Sequence, residues 1–174
     1  MTHQSHVMMC TAFHGDTESR RIALFLLNNI LGGPSMNSRL NLSLRERRGL
    51  VYTVESNMTT YTAALLWNVY FGCDTHDVNR CIRLVKSELH KLAKAPLSAK
   101  AIAMAKRQIK GQIALSADNS ENYAISMAKQ FLHKGTLKSI PRLYENVDAV
   151  TPEQLHRLAS EALSDSQLFT LVFS

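Results

Sequence analysis

The sequence predicts an α+β domain, a mainly antiparallel sheet of at least four strands packed against helices. Three observations lead there. The strand-like runs are segregated, not interleaved with helices: one opens the chain, two follow one another ahead of residue 75, and one closes it. That order is a layered α+β pattern and not an alternating βαβ one. The stretch between Asp74 and Ala162 carries apolar residues at helical spacing, broken by legible caps. Finally, 174 residues with 45% hydrophobic and 20% charged content suit one globular domain with a proper core.

Taken in order, His6 to Phe13 reads as a strand apolar on both faces, and so as a central one. Asp16 offers an N-cap for a helix whose stripe is Ile22, Phe25, Leu26 and Ile30, with Gly32 as its stop. Met36 to Arg48 predicts a shorter helix with Met36, Leu40 and Leu44 on one face, ended by Gly49. Val51–Thr60 and Ala63–Gly72 predict a hairpin through Thr60-Tyr61-Thr62, a link that names no turn type because it lacks Gly and Asn. Asp74 is expected to cap a helix with the stripe Val78, Cys81, Ile82, Val85, Leu89 and Leu92, ending before Pro96. Ser98 opens another through Ile102, Ala105, Ile109 and Ile113. Asp118 with Glu121 resembles a capping box ahead of Tyr123, Met127 and Phe131, with Gly135 as the stop. Ser139-Ile140-Pro141 begins a short helix through Val147. Thr151-Pro152-Glu153-Gln154 is a full N-terminal signature, with a cap, a proline and a glutamine at the third position, and leads into Leu155, Leu158 and Ala162. Gln167 to Phe173 is the final strand.

Composition removes several function classes. No run of about 18 apolar residues is present, so no membrane span is indicated. Met1-Thr2-His3-Gln4-Ser5-His6 lacks the basic and apolar blocks of a signal peptide, and the compartment stays undefined. The net charge of +6 is concentrated around Arg39, Arg45, Arg47 and Arg48 and along Lys100, Lys106, Arg107 and Lys110. No RNA-binding aromatic motif or zinc-finger spacing accompanies it, which argues against nucleic acid as a partner. Cys10, Cys73 and Cys81 are too few and too scattered for a disulfide framework and read as small buried hydrophobes.

The most informative segment is Gly32-Gly33-Pro34-Ser35-Met36-Asn37-Ser38-Arg39-Leu40 together with Leu44-Arg45-Glu46-Arg47-Arg48-Gly49-Leu50-Val51-Tyr52. Arg45 and Tyr52 sit seven residues apart across a helix-to-strand junction. A guanidinium is a rigid fork of donors, and a phenol adds a polar tip to an apolar body, so the pair can grip a peptide backbone. The plain structural alternative is a cation favoured by a helix C-terminus next to a tyrosine suited to any strand. The Gly-Gly-Pro turn lacks the Gly-x-Gly-x-x-Gly and Gly-Lys-Ser patterns of phosphate loops and reads as a tight turn aiming the next helix.

This Gly-Gly turn, Ser-Arg-Leu helix and Arg-x-x-x-Gly-Leu-x-Tyr element resemble the C-terminal, non-catalytic domain of zinc metallopeptidases related to pitrilysin, insulysin and the mitochondrial processing peptidase. The Lys106-to-Gly111 helix is similar to that family's Ala-Lys-x-x-x-x-Gly stretch. The resemblance implies that residues 1–174 form a single inactive peptidase domain, a fragment of a longer two-domain protein. It implies that Arg45 and Tyr52 bind substrate. It also implies a partner domain of similar fold, upstream or on a separate chain, that carries zinc, with a peptide enclosed between the two. Catalytic members carry His-x-x-Glu-His, two imidazoles and a general base on one helix. None of the seven histidines here has such a partner, so neither a catalytic residue nor a metal ligand is expected in this chain. The alternative the resemblance leaves open is a metal-free scaffolding subunit of the same fold.

Overall fold

The computed structural model describes residues 4–14, 17–61, 64–137, 139–162 and 168–174. Strand β1 (Gln4–His14) leads to helix α1 (Glu18–Gly32), a π-helical segment (Asn41–Glu46) and the hairpin β2 (Val51–Thr60) and β3 (Ala64–Asp74). A 3-10 turn (Thr75–Asp77) opens the helical stretch of α2 (Val78–Lys94), α3 (Ala99–Asp118), α4 (Ser120–Lys134), α5 (Ile140–Asp148) and α6 (Pro152–Ala162), and β4 (Phe169–Phe173) follows. The α+β expectation holds. All four strands share one antiparallel sheet in the order β2-β3-β1-β4.

Strand alternation sets the architecture. Val7, Met9 and Phe13 on β1 and Leu65, Trp67, Val69 and Phe71 on β3 are buried under α1, α2 and α6. Residues between them, such as His6 and Met8, lie on the opposite, more exposed face. β1 is interior, as expected, but only one of its faces is buried. α1 is tied to the sheet by polar contacts inside the core. Trp67 Nε1 donates to Asn28 Oδ1 at 3.0 Å, and Ser56 Oγ donates to the Asn28 carbonyl at 3.0 Å.

Several local expectations are corrected. α1 is capped by Thr17, whose hydroxyl accepts from the Arg20 amide; Asp16 lies outside the described residues. Phe25 is exposed, while Ala23, Leu24, Leu27 and Leu31 are buried, because α1 is covered by β2 on one side and α6 on another. Asp74 makes no cap bond, and its helix starts only at Val78 after the 3-10 turn. Asp118 is the last residue of α3 and not the cap of α4. Thr62, Ala63 and Gln167, assigned to the hairpin link, the start of β3 and the start of the last strand, lie outside the described residues. The Thr151 cap is realised in full: the Thr151 amide donates to Gln154 Oε1 at 2.9 Å, and the Gln154 amide donates to Thr151 Oγ1 at 3.3 Å.

Candidate functional site

The site is built around the junction from α1 to β2. A close approach brings these elements together. A side chain on Gly32 would place its Cβ 2.8 Å from Ser56 Oγ and 2.9 Å from the Ser56 amide nitrogen, so only glycine lets the end of α1 lie against β2. Beyond the Gly-Gly-Pro turn, Leu40 and Leu44 are buried and anchor the next segment, whereas Met36, assigned to the same face, is 67% exposed. The segment is not the regular helix expected over Met36–Arg48. Its central part is π-helical, with the Arg47 amide bonding back five residues to the Leu42 carbonyl at 3.2 Å. The wider turn carries Arg45 in its last stretch. The segment ends as expected at Gly49, which holds φ at 60°, a left-handed conformation disfavoured by any other residue. Its amide donates to the Arg45 carbonyl at 2.8 Å and so fixes the backbone from which Arg45 projects.

Arg45 lines a groove of about 420 Å³ together with Gly32, Gly33, Asn41 and the β2 residues Thr53 to Asn57. The Arg45 side chain is about half exposed, and its nearest acid is the adjacent Glu46 at 3.9 Å. β2 is an edge strand: among the described residues it pairs only with β3. The groove therefore runs beside backbone that has no strand partner on that side, with a guanidinium, a carboxylate (Glu55) and two carboxamides (Asn41 and Asn57) around it. Unpaired strand edges accept an extended peptide through main-chain hydrogen bonds.

Tyr52 reaches the surface by a different device. Val51 pairs with Cys73 and Thr53 with Gly72, so Tyr52 is the extra residue of a β-bulge. Val51 and Val54 both stay in the core, and Tyr52 is turned outward at 63% exposure. Its hydroxyl donates to Asp74 Oδ1 at 3.1 Å. Hydrogen bonding to that carboxylate, with its negative charge, holds the phenol above its ordinary pKa. Arg45 and Tyr52 thus lie at the two ends of one junction, Arg45 in the groove and Tyr52 beside the end of β3; Tyr52 is not among the residues lining the groove. Asp74 was assigned as a helix cap in the sequence reading. The break in alternation at Val51-Tyr52-Thr53-Val54 was the available sign that Tyr52 sits in a bulge, and nothing in the sequence pairs it with Asp74.

Zinc has no home in the sequence pattern, since His-x-x-Glu-His is absent. Among the described residues, Asp74, His76 and Asp77 bring two carboxylates and an imidazole within 4.8 Å of one another. His76 and Arg80 both lie against Asp77, and this donor set does not match the two imidazoles and carboxylate of the peptidase centre.

Fold and site together define an α+β peptidase-type domain that has a groove beside an edge strand but lacks the zinc-binding motif. The chain belongs to the peptidase M16 inactive-domain family, whose model matches residues 1–109. It is 30% identical over 162 residues to an uncharacterized zinc protease of Streptomyces coelicolor, covering 93% of this chain and 35% of that protein. It is 28% identical over 173 residues to the uncharacterized zinc protease YmxG of Bacillus subtilis, covering 98% of this chain and 42% of that one. Among solved structures, a protease from Helicobacter pylori superimposes with a TM-score of 0.87 at 17% identity, over 99% of this chain and 42% of its own. A peptidase M16 inactive domain from Pseudomonas fluorescens gives 0.79 at 22%, over 97% and 40%. The chain thus spans well under half the length of both of these curated relatives.

Proposed function

We propose that this chain is the substrate-holding half of a two-domain zinc peptidase. The observation that carries the reading is the groove beside the edge of β2 with Arg45 on its wall. The peptide lies extended along this edge, and Arg45 donates to one of its carbonyls. Tyr52 supplies a second contact at the end of the sheet. The partner half, joined in one polypeptide or as a separate chain, carries His-x-x-Glu-His, and zinc bound there supplies the Lewis acid for peptide hydrolysis. This half contributes grip, orientation and exclusion of water. Membership of the inactive-domain family and similarity to zinc proteases more than twice as long support the partner.

The test is made in the assembled enzyme. Arg45→Ala lowers turnover of a quenched fluorescent peptide by roughly a hundredfold or more if its donors act on charge developing at the scissile carbonyl. Tyr52→Phe lowers turnover as well, and the thermal midpoint of each variant stays near that of the parent. Full activity in both variants, or a loss of stability that matches the loss of activity, overturns the assignment.

A further inference from the structure

We propose that Asp74 is the positioning residue for Tyr52, accepting the hydrogen bond of its phenolic O–H so that the phenol oxygen faces a bound peptide as an acceptor. The proposal rests on the substrate-holding reading above and adds a direction to the contact. Tyr52 is the extra residue of a bulge and is mostly exposed, so local packing alone leaves its ring free to swing. Among the described residues, its hydroxyl donates to Asp74 Oδ1 at 3.1 Å. Asp74 ends β3 one residue beyond Cys73, the partner of Val51, which puts the carboxylate diagonally across the hairpin from the bulge. Asp74 itself makes no helix-capping bond that would compete for it. A phenol has one proton. With that proton engaged in the hydrogen bond to the carboxylate, the oxygen keeps only lone pairs for a ligand. Its counterpart on the peptide is then a backbone N–H or a cationic side chain, while the carbonyl falls to Arg45. The upward direction of the phenol's titration shift, set first by the hydrogen bond to Asp74 and next by the charge of the same carboxylate, agrees with this geometry.

The experiment uses the 174-residue chain labelled with 13C at the tyrosine ε positions, with the Tyr52 signal assigned by its loss in Tyr52→Phe. In the parent, the Tyr52 phenol ionises at higher pH than the phenols of the unfolded chain. Asp74→Ala moves both the ring signal and its ionisation towards the unfolded values. Asp74→Asn, which keeps an acceptor of the same size without charge, restores the ring signal and only part of the late ionisation. An unchanged Tyr52 signal in Asp74→Ala, with folding verified by the thermal midpoint, overturns the proposal. Binding of a fluorescein-labelled casein peptide, read by polarisation, separates the two claims. Tyr52→Phe and Asp74→Ala each weaken it by about three- to tenfold, the range of one hydrogen bond, and the double variant is no weaker than either. Loss in Tyr52→Phe without loss in Asp74→Ala overturns the positioning role alone. Parent-like binding by Tyr52→Phe, or no binding by the parent, counts against the substrate-holding reading itself.

Discussion

At Gly32 one hydrogen atom decides whether α1 can reach β2. The nearest atoms to a Cβ there include the backbone nitrogen of Ser56 at 2.9 Å, which no rotamer change can move. Gly32→Ala is expected to cost about 1–3 kcal/mol by overpacking, and to lower the thermal midpoint by several degrees in a domain of this size. Ser56→Ala in the same chain recovers only part of the loss, because the backbone contact remains; full recovery in calorimetry would place the clash in the hydroxyl alone. A second residue-scale effect concerns Cys81. Burial pushes its thiol up to about 12, and burial also raises Cys73 beside it. The fold thus favours the protonated thiols, whereas an unfolded thiol ionises near about 8.5. The resulting stabilisation is complete below the unfolded value and is lost as pH rises through the folded one. Urea midpoints measured from neutral pH to about pH 11 should fall more steeply in the parent than in Cys81→Ala, whose remaining slope belongs to the other titrating groups. Parallel slopes would show that this thiol does not contribute.

Elements differ in how firmly they are held. α4 carries no fully buried residue among those described, leaves Ile125, Phe131 and Leu132 exposed, and packs chiefly on α3. Elements with so little burial open at low free energy. Amide exchange is therefore expected to be fastest in α4 among the long helices and slowest in α1 and the β1–β3 ladder; protection of α4 equal to that of α1 would contradict this. α6 depends instead on its Thr151–Gln154 cap, and Thr151→Ala should cost about 1 kcal/mol in urea unfolding. The contrast explains what the sequence disclosed. Caps written in adjacent residues, such as Ser98, Ser139 and Thr151, and stops such as Gly49 were legible because the chemistry is local. The four-strand sheet followed from element order. Burial of α1 was misread at Phe25 because tertiary cover, which periodicity does not report, decides which face is inside. The π-turn that carries Arg45 and the bulge that exposes Tyr52 were not foreseen. Both insert a residue against the regular period, and the compensating hydrogen bonds lie five residues back or on another strand.

Across the whole molecule the sheet is asymmetric. At its β2 end the outer face offers Tyr52, Glu55 and Asn57, all exposed. At its β4 end it offers Phe169, Leu171 and Phe173, paired in register with Cys10, Met8 and His6. All five residues of β4 are exposed, no described strand continues the sheet beyond it, and Phe-Thr-Leu-Val-Phe contains no charge, proline or glycine. Uncharged apolar edges of this kind invite pairing with other chains, and natural proteins normally blunt or cover them. The two ends therefore differ in chemistry, and burying the apolar one would be favourable. Alone in solution, the chain is therefore expected to self-associate as its concentration rises, and to bind a hydrophobic dye at neutral pH. Leu171→Lys combined with Phe173→Thr places a charge on the edge while keeping strand-forming side chains, so it should reduce both effects without shifting the thermal midpoint by more than a few degrees. Sedimentation velocity over a range of concentrations decides the matter. Association that persists unchanged in the double variant would place the sticky surface elsewhere, with the exposed apolar residues of α4 the next to be substituted.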